Sequence, residues 1–259
     1  MVLTDCGTAA TGRARLAIAA LVALCLATAC GAATAPPPAL AVVLAIDVSA
    51  SIDADRFVLQ RDGIARAFAD RHLVEAIAAI PGGIEALVLE WSDPDAITVI
   101  VDWRRIGDAP SAAAFAGAVR ASARRSRGLT AIGPALLAAA RQFDRLPQPA
   151  ARRAIDISAD GIANLGLSPA AARDRIVGAG ITINGLAILT DEPWLEAYFR
   201  TEVIGGAGAF VLAARDYASF AEAMRMKLVR EVAGAGAAGP AGPAQMQVRC
   251  NRCGSARSR

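Results

Sequence analysis

The chain has 259 residues and a formal net charge of +3, with 27 basic and 24 acidic side chains. This length suits one α/β domain with short appendages. The positive charge lies at the two ends, because residues 40–233 carry 21 basic and 23 acidic side chains, a net charge of −2. Nucleic-acid-binding domains present a clustered basic face, so this balance argues against nucleic acid as a partner.

The first 35 residues are typical of an export signal. Arg13 and Arg15 precede an uncharged run over residues 16–29, and small residues surround Cys30. We therefore expect a periplasmic or secreted protein. Residues 26–30 also resemble a degraded lipoprotein box, with Ala27 where a leucine is usual. An uncleaved signal, or a lipid on Cys30, would tether the N-terminus to a membrane, and that alternative stays open.

Two low-complexity segments border the predicted domain. Residues 36–39 complete a short Ala/Pro-rich spacer, and the domain is predicted over residues 40–233. Residues 234–259 are predicted to form a disordered Gly/Ala/Pro-rich tail that ends with the pair Cys250 and Cys253. One Cys-x-x-Cys is half a zinc site and has no histidine nearby, whereas a disulfide suits an oxidising compartment. We assign no chemistry to this pair.

Strand-like and helix-like segments alternate along residues 40–233, which predicts an α/β fold. We expect a doubly wound, mostly parallel sheet with helices on both faces. The turn at residues 92–95 joins two consecutive strands, so the second of them should be an antiparallel edge strand. The first helix contains Phe57, Ile64 and Phe68 at helical spacing. The predicted strands are 41–47, 84–91, 97–103, 153–159, 181–186 and 209–212, and the later helices are 111–123, 131–145, 169–179, 191–204 and 216–232.

Oxygen-bearing side chains follow the first and fourth of these strands. Asp47, Ser49 and Ser51 alternate at the end of the first strand, and Asp160 follows the fourth strand. Thr130 lies in a glycine-bounded loop before a predicted helix. The carboxyl edge of an α/β sheet is where such a fold builds a hard-cation site. The alternative is that Ser51 or Asp53 only caps the next helix.

The pattern Asp47-x-Ser49-x-Ser51 resembles the metal-ion-dependent adhesion site (MIDAS) of von Willebrand factor A (VWA) domains, which have a Rossmann-like fold. Thr130 and Asp160 stand where that family adds its remaining ligands. The resemblance implies a Mg²⁺ or Mn²⁺ ion contacted by the three hydroxyls, with the two carboxylates acting directly or through water. Further stretches resemble an uncharacterised bacterial family of exported VWA-like proteins (DUF1194-like), among them residues 57–61, 90–92, 158–161, 183–188, 197–199, 203–206 and 223–231.

The predicted ligand set leaves the metal electron-poor, because at most two carboxylates neutralise it and hydroxyls donate little charge. A carboxylate from a partner is then the natural last ligand. We expect an exported, metal-ion-dependent protein-binding module of adhesion type, whose protein partner offers an Asp or Glu. A metal-free VWA-like scaffold in an envelope assembly is the alternative. Membrane contact is expected only through an N-terminal anchor or lipid.

A phosphatase-like enzyme is a further alternative, since haloacid dehalogenase-type phosphatases also carry an Asp after their first strand. Those enzymes need a second Asp two residues on, where this chain has Ser49, and a downstream lysine. The only lysine, Lys227, lies in the last predicted helix. The chain has no Walker phosphate loop and no Gly-x-Ser-x-Gly elbow, and His72 is predicted to lie on the surface. We therefore predict that the protein is not an enzyme.

Overall fold

The computed structural model describes residues 36–237, which contain one six-stranded sheet in the order β3-β2-β1-β4-β5-β6. Neighbouring strands are parallel except at one edge, where β3 pairs antiparallel with β2. This is the sheet that the sequence predicted, including the antiparallel edge strand. The strands are β1 (Leu40–Asp47), β2 (Ile84–Trp91), β3 (Ile97–Ile106), β4 (Arg152–Ala159), β5 (Thr182–Ile188) and β6 (Val211–Ala214).

Helices cover both faces of the sheet. The helices of the described residues are α1 (Ala54–Ala69), α2 (Arg71–Ala79), α3 (Ala109–Arg120), α4 (Ile132–Gln142), α5 (Pro169–Gly178), α6 (Leu195–Tyr198) and α7 (Phe220–Ala237). A 3-10 turn follows α4, and a π-helical turn, Phe199–Val203, follows α6. Helices α1, α2, α3 and α7 pack on one face, and α4, α5 and α6 pack on the other. None of these helices has both the length and the apolar character needed to cross a membrane.

Strand β1 lies at the centre of the sheet, and all eight of its residues are buried. Alternate side chains of a strand point to opposite faces, so Leu44 and Ile46 enter one apolar core while Val43 and Ala45 enter the other. A strand buried on both faces needs a continuous apolar run, which is why residues 40–46 carry no polar side chain.

Helix α2 and the start of α6 differ from the sequence prediction. Helix α2 was not predicted. Asp70 caps it by accepting hydrogen bonds from the backbone N–H groups of His72 and Leu73, and Leu73 and Ile77 bury one face. His72 is exposed, as predicted. The helix predicted over 191–204 starts only at Leu195 and widens into the π-helical turn.

Helix α7 extends into the segment predicted as a disordered tail. It continues to Ala237 although Gly234 and Gly236 weaken a helix. The last turn packs on the domain: Ala235 is buried, and a Cβ at Gly236 would lie 3.1 Å from Ile80 Cγ2. The predicted signal with Cys30, and the late pair Cys250 and Cys253, lie outside the described residues.

The sheet topology brings the predicted ligand strands together. The chain runs from β1 to β2 on one side, and β4 lies on the other side of β1. In open α/β sheets, the crevice at such a switch point, outside the carboxyl ends of the strands, is the usual ligand site. Strands β1 and β4 are parallel with Ile46 opposite Ser158, so Asp47 and Asp160 emerge at the same edge.

Candidate metal-binding site

The turn between β1 and α1 holds three of the five predicted ligands. The Ser49 backbone N–H donates to Asp47 Oδ1 over 2.7 Å, which fixes the turn, and the hydroxyls of Ser49 and Ser51 lie 3.2 Å apart. The cap of α1 is Asp53, whose carboxylate accepts from the Arg56 backbone N–H at 2.8 Å. Because Asp53 supplies the cap, capping does not account for the side chains of Asp47, Ser49 and Ser51.

Asp160 joins this turn directly. The Ser51 hydroxyl donates to Asp160 Oδ1 over 2.7 Å, although the two residues are 109 positions apart in the chain. The other oxygen, Oδ2, accepts from the Tyr217 hydroxyl at 2.9 Å. Asp160 is buried, so these donors replace the water that its carboxylate loses on folding.

Thr130 is fixed beside the turn through its backbone neighbours. The Ala50 N–H donates to the Gly128 carbonyl at 2.7 Å, which attaches the Thr130 loop to the β1–α1 turn. The Thr130 N–H donates to Asn164 Oδ1 at 2.8 Å, and the Asn164 N–H returns a bond to the Thr130 carbonyl at 3.0 Å. Hydrogen bonds therefore link Asp47, Ser49, Ser51 and Asp160, and they attach the loop that carries Thr130 to the same turn.

Asp47 is the member of this group whose carboxylate is least well satisfied. It is fully buried, and its Oδ2 has no hydrogen-bond partner within the described part of the chain. Burial raises the pKa of Asp47 to about 7, against the opposing effect of its bonds with Ser49. A buried carboxylate oxygen without a donor is costly, and a cation is the group that would satisfy it.

The chemistry of the donor set fits a hard divalent cation. Two carboxylates and three hydroxyls offer oxygen alone, which is the ligand type that Mg²⁺ and Mn²⁺ prefer. Residues 36–237 contain no cluster of three or more His, Cys, Asp or Glu side chains suited to a metal. The candidate site therefore depends on its hydroxyls as well as on Asp47 and Asp160.

Arg124 and Glu90 hold the turn between β1 and α1 in place. The sequence analysis did not identify either residue as part of the site. The Arg124 guanidinium donates to the carbonyls of Val48 and Ile52 at 2.5 and 2.6 Å. Glu90, buried near the end of β2, accepts from the Arg125 backbone N–H at 2.6 Å and so holds the loop that carries Arg124. The turn is thus fixed from two neighbouring elements.

Arg56 is a third residue that the sequence analysis missed. Its Nη1 lies 3.4 Å from Asp160 Oδ2, 2.9 Å from Asp191 Oδ2 and 3.1 Å from the Ser51 carbonyl oxygen. The guanidinium also lies over the ring of Tyr217, 5.1 Å from its centroid. A positive side chain therefore already contacts one of the two predicted carboxylate ligands.

The family described as Protein of unknown function (DUF1194) matches residues 38–236, well over half of the chain. The chain belongs to this family. The resemblance drawn from the sequence is confirmed, both for this family and for the VWA-like fold. No curated protein matches the chain.

Solved structures share the fold at low sequence identity. Proximal thread matrix protein 1 of the mussel byssus has a TM-score of 0.53 and 14% identity, over 76% of this chain and 48% of that chain. The pilus adhesin SpaC of Lactobacillus rhamnosus GG has a TM-score of 0.54 and 14% identity, over 77% and 31%. A von Willebrand factor type A protein of Catenulispora acidiphila has a TM-score of 0.52 and 23% identity, over 76% and 43%. This DUF1194 chain spans less than half the length of each, and the likeness shows a VWA-like fold.

Proposed function

We propose that this protein is an exported, metal-ion-dependent protein-binding module of adhesion type. A Mg²⁺ or Mn²⁺ ion at the carboxyl edge of the sheet would coordinate an Asp or Glu of a protein partner. The observation that carries the proposal is the buried Oδ2 of Asp47, which has no hydrogen-bond partner within residues 36–237 and belongs to the same turn as the paired hydroxyls of Ser49 and Ser51. The export part rests on the signal-like pattern of residues 1–35.

The five residues have distinct roles in this proposal. The hydroxyls of Ser49, Ser51 and Thr130 contact the ion, and Asp47 supplies negative charge. Since the Ser51 hydroxyl donates its only proton to Asp160 Oδ1, Ser49 donates in the 3.2 Å contact between the two hydroxyls, and Ser51 keeps one oxygen lone pair for a cation. Both oxygens of Asp160 already accept hydrogen bonds, so its support is best given through Ser51 or through water.

The surface beside the site suits a protein partner. Of the six exposed large apolar side chains among the described residues, three lie in loops at this edge: Leu129, Ile162 and Trp194. Trp194 packs edge-to-face on Tyr198 at 6.5 Å, and the Tyr198 hydroxyl accepts from the Ala163 N–H next to Ile162. Large apolar side chains that stay exposed at one edge of a domain favour a protein-binding surface there.

Names among the structural neighbours agree with an adhesion-type role. One of the solved proteins is a pilus adhesin, and a structure of the mussel protein is described as having a zinc-occupied MIDAS motif. These descriptions belong to those proteins. They support the proposal through the shared fold together with the ordered ligand set.

A metal titration tests the proposal. We expect millimolar Mg²⁺ or Mn²⁺ to raise the melting temperature relative to chelator, because an ion that binds only the folded state stabilises it by about 2.7 kcal/mol at a hundredfold excess over its Kd. Thr130→Ala should fold normally in chelator, and it should lose most of the rise in melting temperature that the metal gives the wild-type protein. Identical wild-type melting curves with metal and with chelator would contradict metal binding.

The metal-free scaffold is the second candidate, and the contact between Arg56 and Asp160 favours it, since a guanidinium already neutralises one predicted ligand. The two candidates differ in how the partner is captured. If the wild-type protein and Thr130→Ala recover the same partner in chelator, the metal is not the docking point and the scaffold explains the function.

A further inference from the structure

Asp160 has a complete set of protein donors. Ser51 donates a hydrogen bond to Oδ1, while Tyr217 and Arg56 donate hydrogen bonds to Oδ2. The Tyr217 hydroxyl and the Asp160 carboxylate are both buried, whereas a quarter of the Arg56 side chain is exposed to solvent. Arg56 is therefore the member of this set that has room to move.

Arg56 also forms an ion pair with a solvent-exposed carboxylate. Its Nη1 lies 2.9 Å from Asp191 Oδ2, in the loop after β5, and more than half of the Asp191 side chain is exposed. The Arg56–Asp191 distance is shorter than the 3.4 Å between Arg56 and Asp160. The guanidinium can therefore withdraw towards Asp191 and solvent without losing its nearest carboxylate.

We propose that Arg56 is the resident counter-ion of the candidate metal site, and that the guanidinium and a divalent cation compete for Asp160. This inference rests on the proposed function. In the absence of metal, the positive charge of Arg56 stabilises buried Asp160. When a divalent ion binds, the positive charge of Arg56 repels it. Arg56 therefore lowers the affinity of the site for metal.

A purely structural role for Arg56 gives the opposite result. If the bridge from α1 to Asp160 and Asp191 only holds the ligands in place, its removal loosens the site and weakens metal binding. If Arg56 competes with the ion, its removal strengthens metal binding. The direction of the change in Kd therefore separates the two roles.

The experiment is a calorimetric Mn²⁺ titration of the purified full chain and of three variants. We expect Arg56→Gln to bind Mn²⁺ on the order of ten-fold more tightly, because the guanidinium repels the ion but is partly exposed and therefore screened by solvent. Arg56→Lys keeps the charge and should stay within about three-fold of wild type. Arg66→Gln, at an exposed position in the last turn of α1, removes an equal charge without a contact to Asp160 and should change Kd by about two-fold or less.

The outcomes separate this inference from the proposed function. If the wild-type protein binds Mn²⁺ and Arg56→Gln binds it equally or more weakly, competition is refuted and metal binding stands. If only Arg56→Gln binds Mn²⁺, Arg56 blocks the wild-type site and the inference is supported. If neither protein binds, the metal site and the competition both fail. Melting curves in chelator check that each variant folds.

Discussion

At the residue scale, the site depends on the buried carboxylate of Asp47, whose hydrogen bonding is incomplete. The carboxylate is fully buried, yet Oδ2 has no partner among residues 36–237. Folded proteins satisfy most buried polar atoms, and the exceptions concentrate where function requires them. An uncompensated buried carboxylate lowers the stability of the metal-free protein and raises its affinity for a cation.

We expect Asp47→Asn to separate stability from metal binding. Asparagine keeps the shape and the bond from the Ser49 N–H but removes the buried charge. In chelator at pH 8, the free energy of unfolding should stay the same or rise by up to about 2 kcal/mol, and the increment with Mn²⁺ should disappear. Denaturant unfolding with and without Mn²⁺ measures both quantities.

Asp53→Asn is the matched control, because Asp53 is exposed and asparagine caps a helix about as well as aspartate. That variant should keep both the wild-type stability and the response to Mn²⁺. A large loss of stability in Asp47→Asn, with the Mn²⁺ increment intact, would show that the carboxylate serves the fold and not the metal.

The sequence analysis proposed candidate ligands from a pattern and a resemblance, and it missed the charged and hydroxyl groups next to them. Asp47, Ser49 and Ser51 alternate along one turn, and Thr130 and Asp160 were added because they stand where the VWA family has its remaining ligands. Arg56 and Tyr217 reach Asp160 from positions 104 and 57 residues away, and no local pattern marks such a contact. The sequence therefore gives a candidate ligand set, whereas the positive charge next to Asp160 is visible only in the structure.

At the element scale, α1 and α7 pack closely through a glycine. A Cβ on Gly63 of α1 would lie 2.7 Å from Phe220 Cδ1 and 3.2 Å from the Ala221 Cα of α7. Those distances are too short for ordinary contact, so the close approach of the two helices requires a residue without a side chain at this position. The same two helices carry Arg56 towards the site and Lys227 towards the sheet.

A pair of glycine substitutions tests this packing. Gly63→Ala should lower the free energy of unfolding by about 1–2 kcal/mol, because overlap with Phe220 outweighs the better helix propensity of alanine. Gly117→Ala is the control in α3, where a Cβ would meet no atom within 4 Å, and it should raise stability by about 0.5–1 kcal/mol. Equal effects at both positions would contradict the close approach.

Element prediction succeeded for long periodic segments and failed where tertiary contacts decide the result. The strands next to the site were predicted within two residues, because buried apolar side chains recur along each of them. Helix α2 was missed since its nine residues hold only two buried side chains, Leu73 and Ile77. The end of α7 was placed too early because Gly234 and Gly236 suggested a linker, whereas the packed Ala235 keeps the last turn helical.

At the scale of the whole molecule, a buried group of charges joins α7 to the sheet. Lys227 is fully buried and contacts Asp156 of β4, although a lysine in a terminal helix is usually exposed. One turn further on, Glu231 accepts hydrogen bonds from Asn184 of β5 and, at 3.1 Å, from Arg152 of β4. These charges lie away from the candidate metal site, so they affect the stability of the fold independently of the metal.

Glu231 should make the stability of the protein fall as the pH rises towards neutrality. Burial, and then the negative charge of Asp156, raise the pKa of Glu231 to about 7, against the opposing charges of Lys227, Arg152 and Arg230. The unfolded chain releases the proton near pH 4.5, whereas the folded chain keeps it up to about pH 7. The contribution of this proton to stability is therefore complete below pH 4.5 and is lost as the pH rises through 7.

Glu231→Gln removes this titration while keeping the size of the side chain. We expect the free energy of unfolding of the wild-type protein, relative to that of Glu231→Gln, to fall by up to about 3 kcal/mol between pH 4 and pH 8. Urea unfolding at each pH, in chelator, gives this difference, and groups common to both proteins, such as Asp47, cancel in it. A difference that is constant or that grows with pH would mean that Arg152 and Lys227 keep Glu231 ionised throughout. The group would then stabilise the fold as a set of ion pairs, with the carboxylate charged at every pH of the measurement.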